Sequence, residues 1–219
     1  MPQTLVLVPT AAERTLLAPL LAPCPDDRQP IALCGFGPVA AAARTAALIA
    51  AHAPKRVLLV GIAGRYDDRL AIGAAYRFER VVCFGIGVGS DERFVSAGRL
   101  GWQQWSGDPP SPATAIGDAL DCGWPSAMAG ADGGLLLSAC AAAASPDDAA
   151  VRTKLLPAAA AEDMEGFAVA LACRLAGVPC EIVRGISNTA GDRNHDHWQI
   201  PQAVAAAAAL SRRLLEGLP

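Results

Sequence analysis

The sequence lacks an excess of positive charge. Its net charge is -3 over 219 residues, which leaves no electrostatic footprint for nucleic acid or an anionic membrane surface. It also lacks a long apolar run. No stretch reaches the ~20 residues of a spanning helix without Pro, Gly or charge. The first apolar run, Thr4 to Val8, is too short for a signal peptide, follows no basic start and runs into Pro9. A cytoplasmic protein is therefore expected. The seven cysteines (Cys24, Cys34, Cys83, Cys122, Cys140, Cys173, Cys180) form no Cys-x-x-Cys pair, so no zinc or redox motif is present. They read as small hydrophobes kept reduced. His195-Asp196-His197 lies in a loop and offers part of a metal shell at best, since the remaining histidine, His52, falls in a predicted helix. No metal and no organic cofactor are expected. Gly85-Ile86-Gly87-Val88-Gly89 falls short of a dinucleotide fingerprint, because Ser90 stands where its third glycine belongs. Internal repeats and Ser/Gly-rich linkers are absent, which predicts one domain over residues 1–219.

The sequence does contain apolar matter in short, punctuated runs. Its hydrophobic fraction is 53% against 18% charged, so a full core is expected rather than disorder. Thr4 to Val8, Ile31 to Cys34 and Arg56 to Val60 read as buried strands. Helices are predicted between them, from Ala11 to Leu21 with Thr10 as N-cap, and from Val39 to Ala53. That alternation predicts an α/β fold, a parallel or mixed sheet covered by helices. Tyr76 to Phe84 alternates like an extended strand with one wetter face. Trp102 to Pro112 reads as a loop or lid, and Gly133 to Cys140 as a strand. Asp147 to Leu156 reads as a short helix capped by Ser145 with Pro146 at its first position. The acidic stretch Glu162 to Glu165 is read as a helix start, with Gly177 and Pro179 as the stop. A strand from Cys180 to Ile186, a polar loop from Asn188 to Trp198 and a helix from Pro201 to Glu216 complete the chain.

Four features sit where chemistry could. Gly61-Ile62-Ala63-Gly64 is placed at a strand end, where glycine lets a ligand approach the backbone or simply makes a turn. Glu165 reads equally as a helix-capping carboxylate or as an acceptor for sugar hydroxyls. Asn188 reads as a turn residue or as an amide presented to a heterocycle. Glu13 is a first-turn helix acid that also lies beside the carboxyl edge of the first strand, where α/β pockets form.

The order of these pieces resembles the nucleoside phosphorylase/nucleosidase superfamily over nearly the whole chain. The matching stretches are Glu13, Gly35-Phe36-Gly37-Pro38, Gly61-Ile62-Ala63-Gly64, Asp163-Met164-Glu165-Gly166 and Arg184-Gly185-Ile186-Ser187-Asn188. The tail Ile186-Ser187-Asn188, Gly191, Arg193 and Trp198 is most similar to the futalosine hydrolase family, which releases hypoxanthine from futalosine in menaquinone biosynthesis. The resemblance implies a single domain with a mixed, partly closed β-sheet surrounded by helices, in a homo-oligomer.

It implies roles as well. Glu165 would bind the ribose hydroxyls, Met164 would pack on the sugar, and Glu13 would deprotonate the attacking water. Asn188 would hydrogen-bond the purine, and the backbone at Ala63 and Gly64 would line the base pocket. Adenine-releasing relatives carry Asp where Asn188 stands, so Asn188 implies a 6-oxopurine such as hypoxanthine. Leu59 and Ile62 are apolar where bacterial-type phosphorylases carry Arg and Ser, which favours water over phosphate. Futalosine hydrolases tend to have a Thr-containing strand end before the Met-Glu motif, and Leu137-Ser138-Ala139-Cys140 stands there instead. Phe36, Phe84 and Arg193 are candidates to hold the carboxylate-bearing end of futalosine. The rival readings are a methylthioadenosine/S-adenosylhomocysteine-type nucleosidase, a purine nucleoside phosphorylase and a non-catalytic nucleoside-binding protein.

Overall fold

A computed structural model describes residues 4–21, 31–107, 115–124 and 132–216. Strand β1 (Thr4–Val8) is buried at every position and leads into Thr10. The Thr10 hydroxyl accepts the Glu13 N–H at 3.2 Å, which caps α1 (Ala11–Leu21). Next come β2 (Ile31–Leu33), α2 (Gly37–His52), β3 (Arg56–Arg65), β4 (Ala75–Arg77) and β5 (Arg80–Phe84). A small hairpin pairs β6 (Gly87–Val88) with β7 (Val95–Ser96). Then follow β8 (Ala119–Asp121), β9 (Leu135–Ala139), α3 (Pro146–Leu155), β10 (Ala159–Asp163), α4 (Gly166–Leu175), β11 (Cys180–Thr189) and α5 (Ile200–Glu216). The predicted Ser145 cap is present, its hydroxyl accepting the Asp148 N–H at 3.2 Å.

Strand β3 is the axis of the sheet. Along one edge it pairs parallel with β11 from Val57 to Arg65. Along the other edge it has two successive partners. It runs parallel to β1 from Arg56 to Leu59, then antiparallel to β10 at Gly64 and Arg65. Beyond β10 the sheet continues through β9 and β5 to β8. Strands β4 and β5 are nearly continuous in the chain, and β4 pairs with β11 while β5 pairs with β9. The path from β11 round to β9 therefore closes much of the sheet on itself, giving a mixed, partly closed sheet within one domain. Helices α2 and α4 pack on one face, where Ala41, Leu48, Ile49, Phe167 and Cys173 join Leu5, Leu59 and Ile182. Helices α1 and α5 cover the other, where Leu17, Ala207 and Leu214 meet Val6, Leu58 and Val183.

Two local expectations are corrected. Gly61 to Gly64 does not end β3, because pairing with β11 holds the strand extended to Arg65. Those glycines leave room for side chains instead. A Cβ at Gly61 would overlap Arg184 Nη1 and lie 2.8 Å from Glu13 Oε1. Tyr76 to Phe84 is split into β4 and β5, because its two halves serve opposite edges of the closing sheet. The expected cap ahead of the Ala-rich helix is present: Glu162 and Asp163 end β10, and Asp163 Oδ2 accepts the Gly166 N–H at 2.9 Å at the head of α4.

Of the predicted Trp102 to Pro112 loop, residues 108–112 lie outside the described residues, as does Cys24. Residues 102–107 form no helix, and Trp105 makes an isolated bridge to Ile116. Cys34, Cys173 and Cys180 are buried as expected. Cys140 departs from that expectation, exposed in the turn after β9. Gly87 belongs to the β6–β7 hairpin, with Val95 O against the place a Cβ would occupy. Among the described residues no helix is long and apolar enough to cross a membrane.

Candidate active site

The site begins at the fork in β3. Between Leu59, where β1 leaves, and Gly64, where β10 arrives, one edge of β3 has no strand partner. Extended backbone with free N–H groups must find other acceptors when buried. Here Glu13 supplies one, as its Oε1 accepts the Ile62 N–H at 3.1 Å. The Thr10 hydroxyl donates to Glu13 Oε2 at 2.7 Å, so the cap of α1 and the fork of β3 together fix both carboxylate oxygens.

Arg184 enters the same fork from β11. It is fully buried and donates through Nε and Nη2 to Asp163 Oδ2, with Nη2 also 3.5 Å from Glu165 Oε2. Ser138 donates to the other oxygen of Asp163 and accepts the Phe167 N–H at 2.8 Å. Asp163 is therefore held by β9, α4 and β11 at once. Nη1 of Arg184 is buried without a hydrogen-bond partner. A buried unpaired donor costs about 1–3 kcal/mol, and Arg184 itself is not among the residues that line the adjoining cavity.

Glu165 occupies the N-cap position of α4 but makes no capping bond. Its Oε1 accepts the Gly37 N–H at 3.0 Å, where φ of +77° at Gly37 turns the amide inward. Burial pushes the Glu165 carboxyl up to about 7. Arg184 and the Gly37 amide work against that rise, while Asp163 and Glu13 reinforce it. The capping reading does not describe this residue.

Asn188 lies at the far end of β11, past a register shift at Ser187. Its Oδ1 accepts from Ser187 Oγ at 2.8 Å and its Nδ2 donates to Thr189 O at 2.9 Å. One N–H and one lone pair of the amide stay available.

Glu13, Glu165 and Asn188 share a cavity of about 350 Å³. Glu13, Phe36, Ala63, Gly64, Met164, Glu165, Asn188 and Arg193 all line it, so eight of the nine sequence candidates are brought together. Phe84 is the exception and is corrected here. At the end of β5 its ring packs on Phe94 at 4.9 Å, and it lines a separate, smaller cavity with Leu155 and Leu156. At the mouth of the main cavity, Arg193 lies 5.1 Å over the Trp198 ring, whose other neighbour is His195 at 4.5 Å. His197 pairs with Asp192 at 2.8 Å. Among the described residues, no three His, Cys, Asp or Glu groups are arranged to hold a metal. Of the two positions read for phosphate, Ile62 lines the cavity whereas Leu59 is buried in the core.

Sequence reasoning gave no role to Arg184, Glu162 or Ser187, and none beyond a helix cap to Asp163. One signal was available for the first, a lone arginine in the otherwise apolar interior of the ten-residue strand Cys180–Thr189. Charged residues are almost never fully buried unless paired.

Comparison with known proteins places this geometry. The family model described as the phosphorylase superfamily matches residues 26–218. Futalosine hydrolase of Streptomyces coelicolor is 30% identical over 178 residues, covering 78% of this chain and 72% of that protein. Futalosine hydrolase of Thermus thermophilus is 31% identical over 191 residues, covering 83% and 78%. Two solved structures share the fold. A 5′-methylthioadenosine/S-adenosylhomocysteine nucleosidase from Neisseria meningitidis, in complex with methylthio-immucillin-A, superposes with TM-score 0.78 at 21% identity over 99% of this chain and 100% of that one. Native futalosine hydrolase of Helicobacter pylori superposes with TM-score 0.73 at 18% identity, over 99% and 98%.

Proposed function

The chain belongs to the phosphorylase superfamily, and from that premise we propose that it is an N-glycosyl hydrolase that splits futalosine into hypoxanthine and dehypoxanthine futalosine, a step of menaquinone biosynthesis. The observation that carries this reading is the convergence of Glu13, Glu165 and Asn188 on one cavity in a chain about 30% identical to two futalosine hydrolases.

The chemistry follows from the residue types. As the bond from C1′ to the purine nitrogen breaks, its electron pair leaves with the base and positive charge builds on the ribose. Glu165 accepts hydrogen bonds from the ribose hydroxyls and favours that charge. Met164 packs on the sugar. Water attacks C1′ and passes a proton to Glu13, whose oxygens are already aligned by Thr10 and Ile62. Asn188 donates to the N7/O6 edge of the departing base, and the backbone at Ala63 and Gly64 lines its pocket.

Water is favoured over phosphate on electrostatic grounds. Arg184 is already shared by two of the three carboxylates Glu13, Asp163 and Glu165. A phosphate dianion there would face net negative charge. At the mouth, Phe36 and Trp198 provide apolar surface and Arg193 a cation, which suits the carboxylate-bearing end of futalosine. Exposed Phe36, Val39, Leu16 and Leu20 support a homo-oligomer that covers them, and the free cysteines support a cytoplasmic setting.

The test is base release in phosphate-free buffer from futalosine, inosine and methylthioadenosine, followed by chromatography. Hypoxanthine from futalosine is expected. Glu165→Gln and Glu13→Gln should each lower kcat by about 100-fold or more while the protein stays folded. Adenine release, a strict need for phosphate, or near-normal rates in both variants would refute the reading.

A further inference from the structure

Three of the cysteines meet at one place. Cys122, Cys173 and Cys180 line a cavity of about 160 Å³, at the opposite end of α4 from Glu165. The proposed reaction uses none of them. Local structure sets two of them face to face. Helix α4 ends in a Schellman turn. Gly177, at φ of +67°, donates its N–H to Arg174 O at 3.2 Å, and the Val178 N–H reaches Cys173 O at 2.9 Å. Pro179 then leads directly into β11. Its carbonyl accepts the Val57 N–H at 2.9 Å, and the Cys180 carbonyl accepts the Gly123 N–H at 2.7 Å. Both cysteines are therefore held by their backbones, and the Cys173 thiol lies against the Cys180 thiol. That contact, followed by burial, holds the Cys180 thiol well above its ordinary range. Among the described residues no three such groups are arranged to hold a metal, so the chemistry open to the pair is that of a dithiol.

We propose that Cys173 and Cys180 form an oxidisable dithiol that takes hydrogen peroxide and closes to a disulfide, clasping the last turn of α4 to the first residue of β11.

The chemistry balances with peroxide as the one co-reactant. One cysteine sulfur attacks a peroxide oxygen. An S–O bond forms, the O–O bond breaks, and the departing hydroxide takes the thiol proton and leaves as water. The second sulfur then attacks the sulfenic sulfur. An S–S bond forms, the S–O bond breaks, and a second water carries away the remaining proton. Two electrons pass from the sulfurs to the peroxide. The cavity admits the oxidant, since a water takes about 30 Å³ and peroxide has only one more oxygen. A thiol already beside the first traps the sulfenic acid before further oxidation. Because burial keeps the Cys180 thiol protonated, the reaction is slow, on the order of minutes to hours. The bond closes a loop of eight residues from Cys173 to Cys180, which restricts the unfolded chain and stabilises the folded one.

The competing account is that these cysteines only fill the core as small apolar side chains, since Cys173 and Cys180 both belong to its main cluster. Peptide mapping separates the two. The full chain is incubated in native buffer with hydrogen peroxide, then denatured, alkylated and digested with trypsin without reduction. Trypsin cuts after Arg174, between the two cysteines. The disulfide therefore appears in mass spectrometry as peptide 155–174 joined to peptide 175–184, and the joined species disappears on reduction. The oxidised protein should also melt about 5 °C above the reduced one, and Cys180→Ala should show no such rise. Both cysteines alkylated after peroxide treatment overturns the proposal. So does either one found only as sulfinic or sulfonic acid, or joined only to peptide 100–152, which carries Cys122 and Cys140. A joined pair without a rise in melting temperature overturns its action as a clasp. The mapping needs only the wild type, so a Cys180→Ala variant that fails to fold leaves the test intact. No substrate enters it, so its outcome stands apart from that of the nucleosidase reading.

Discussion

Glu165 shows how far a single residue departs from what its neighbours in sequence suggest. Its short-range context, an acid ahead of an Ala-rich helix, is that of a cap. Its actual partners are Gly37 and Arg184, both remote in sequence. The desolvation they incompletely offset raises its carboxyl from 4.5 to about 7, and two consequences follow. In the proposed role it is the ionised form that favours a ribosyl cation, so kcat/KM should climb with pH and level off above about 7. Stability should move the other way. A folded-state value raised above the unfolded one favours the protonated form on folding. That stabilisation is present below about 4.5 and is lost as pH rises through about 7. Glu165→Gln removes this titration. Its melting temperature should therefore exceed that of the wild type by more at about pH 8 than at about pH 5. A wild-type advantage at the higher pH would contradict it.

At the scale of elements, the head of α1 couples a local signal to chemistry. Thr10 as an N-cap was readable from residue type and position alone. The same hydroxyl also orients Glu13, and that second bond matters only because β3 brings Ile62 to the other carboxylate oxygen. Thr10→Ala should cost about 1 kcal/mol of stability, as lost caps do. It should also lower kcat by roughly tenfold with little effect on KM, because Glu13 loses one of its two anchors. Thr10→Ser should restore both, and denaturant titration beside steady-state kinetics would read the two effects separately. A stability loss with unchanged kcat would show that the hydroxyl serves the helix alone. The helices and buried strands of the first sixty residues were similarly legible, each being a short apolar run with its own stop signal. Asp163 as a cap of the following helix was legible in the same way, whereas strand β10, which ends on it, was not, because it is Ala-rich and carries no β-branched residue to mark it.

For the molecule as a whole, the deciding event is the exchange of partners along β3. It opens a place where carboxylates from α1, from the turn after β10 and from β10 itself converge on one arginine from β11. Gly61→Ala tests that convergence, since a Cβ there would overlap Arg184 Nη1 and crowd Glu13 Oε1. Loss of at least about 100-fold in kcat, together with a lower melting temperature, is the expected outcome in a thermal melt and a base-release assay. An active, fully stable variant would mean that the fork tolerates being filled. The sequence by itself determined the class of the fold, because strand and helix periodicities, caps and stops are short-range properties written in adjacent residues. It also determined most of the members of the site, through the order of motifs that resembles a known superfamily. Only the tertiary structure decided how they are used. Which carboxylates share Arg184, and that Phe84 turns away to Phe94, both depend on strand register. Register is set by packing among distant segments, and no local stretch of the chain encodes it.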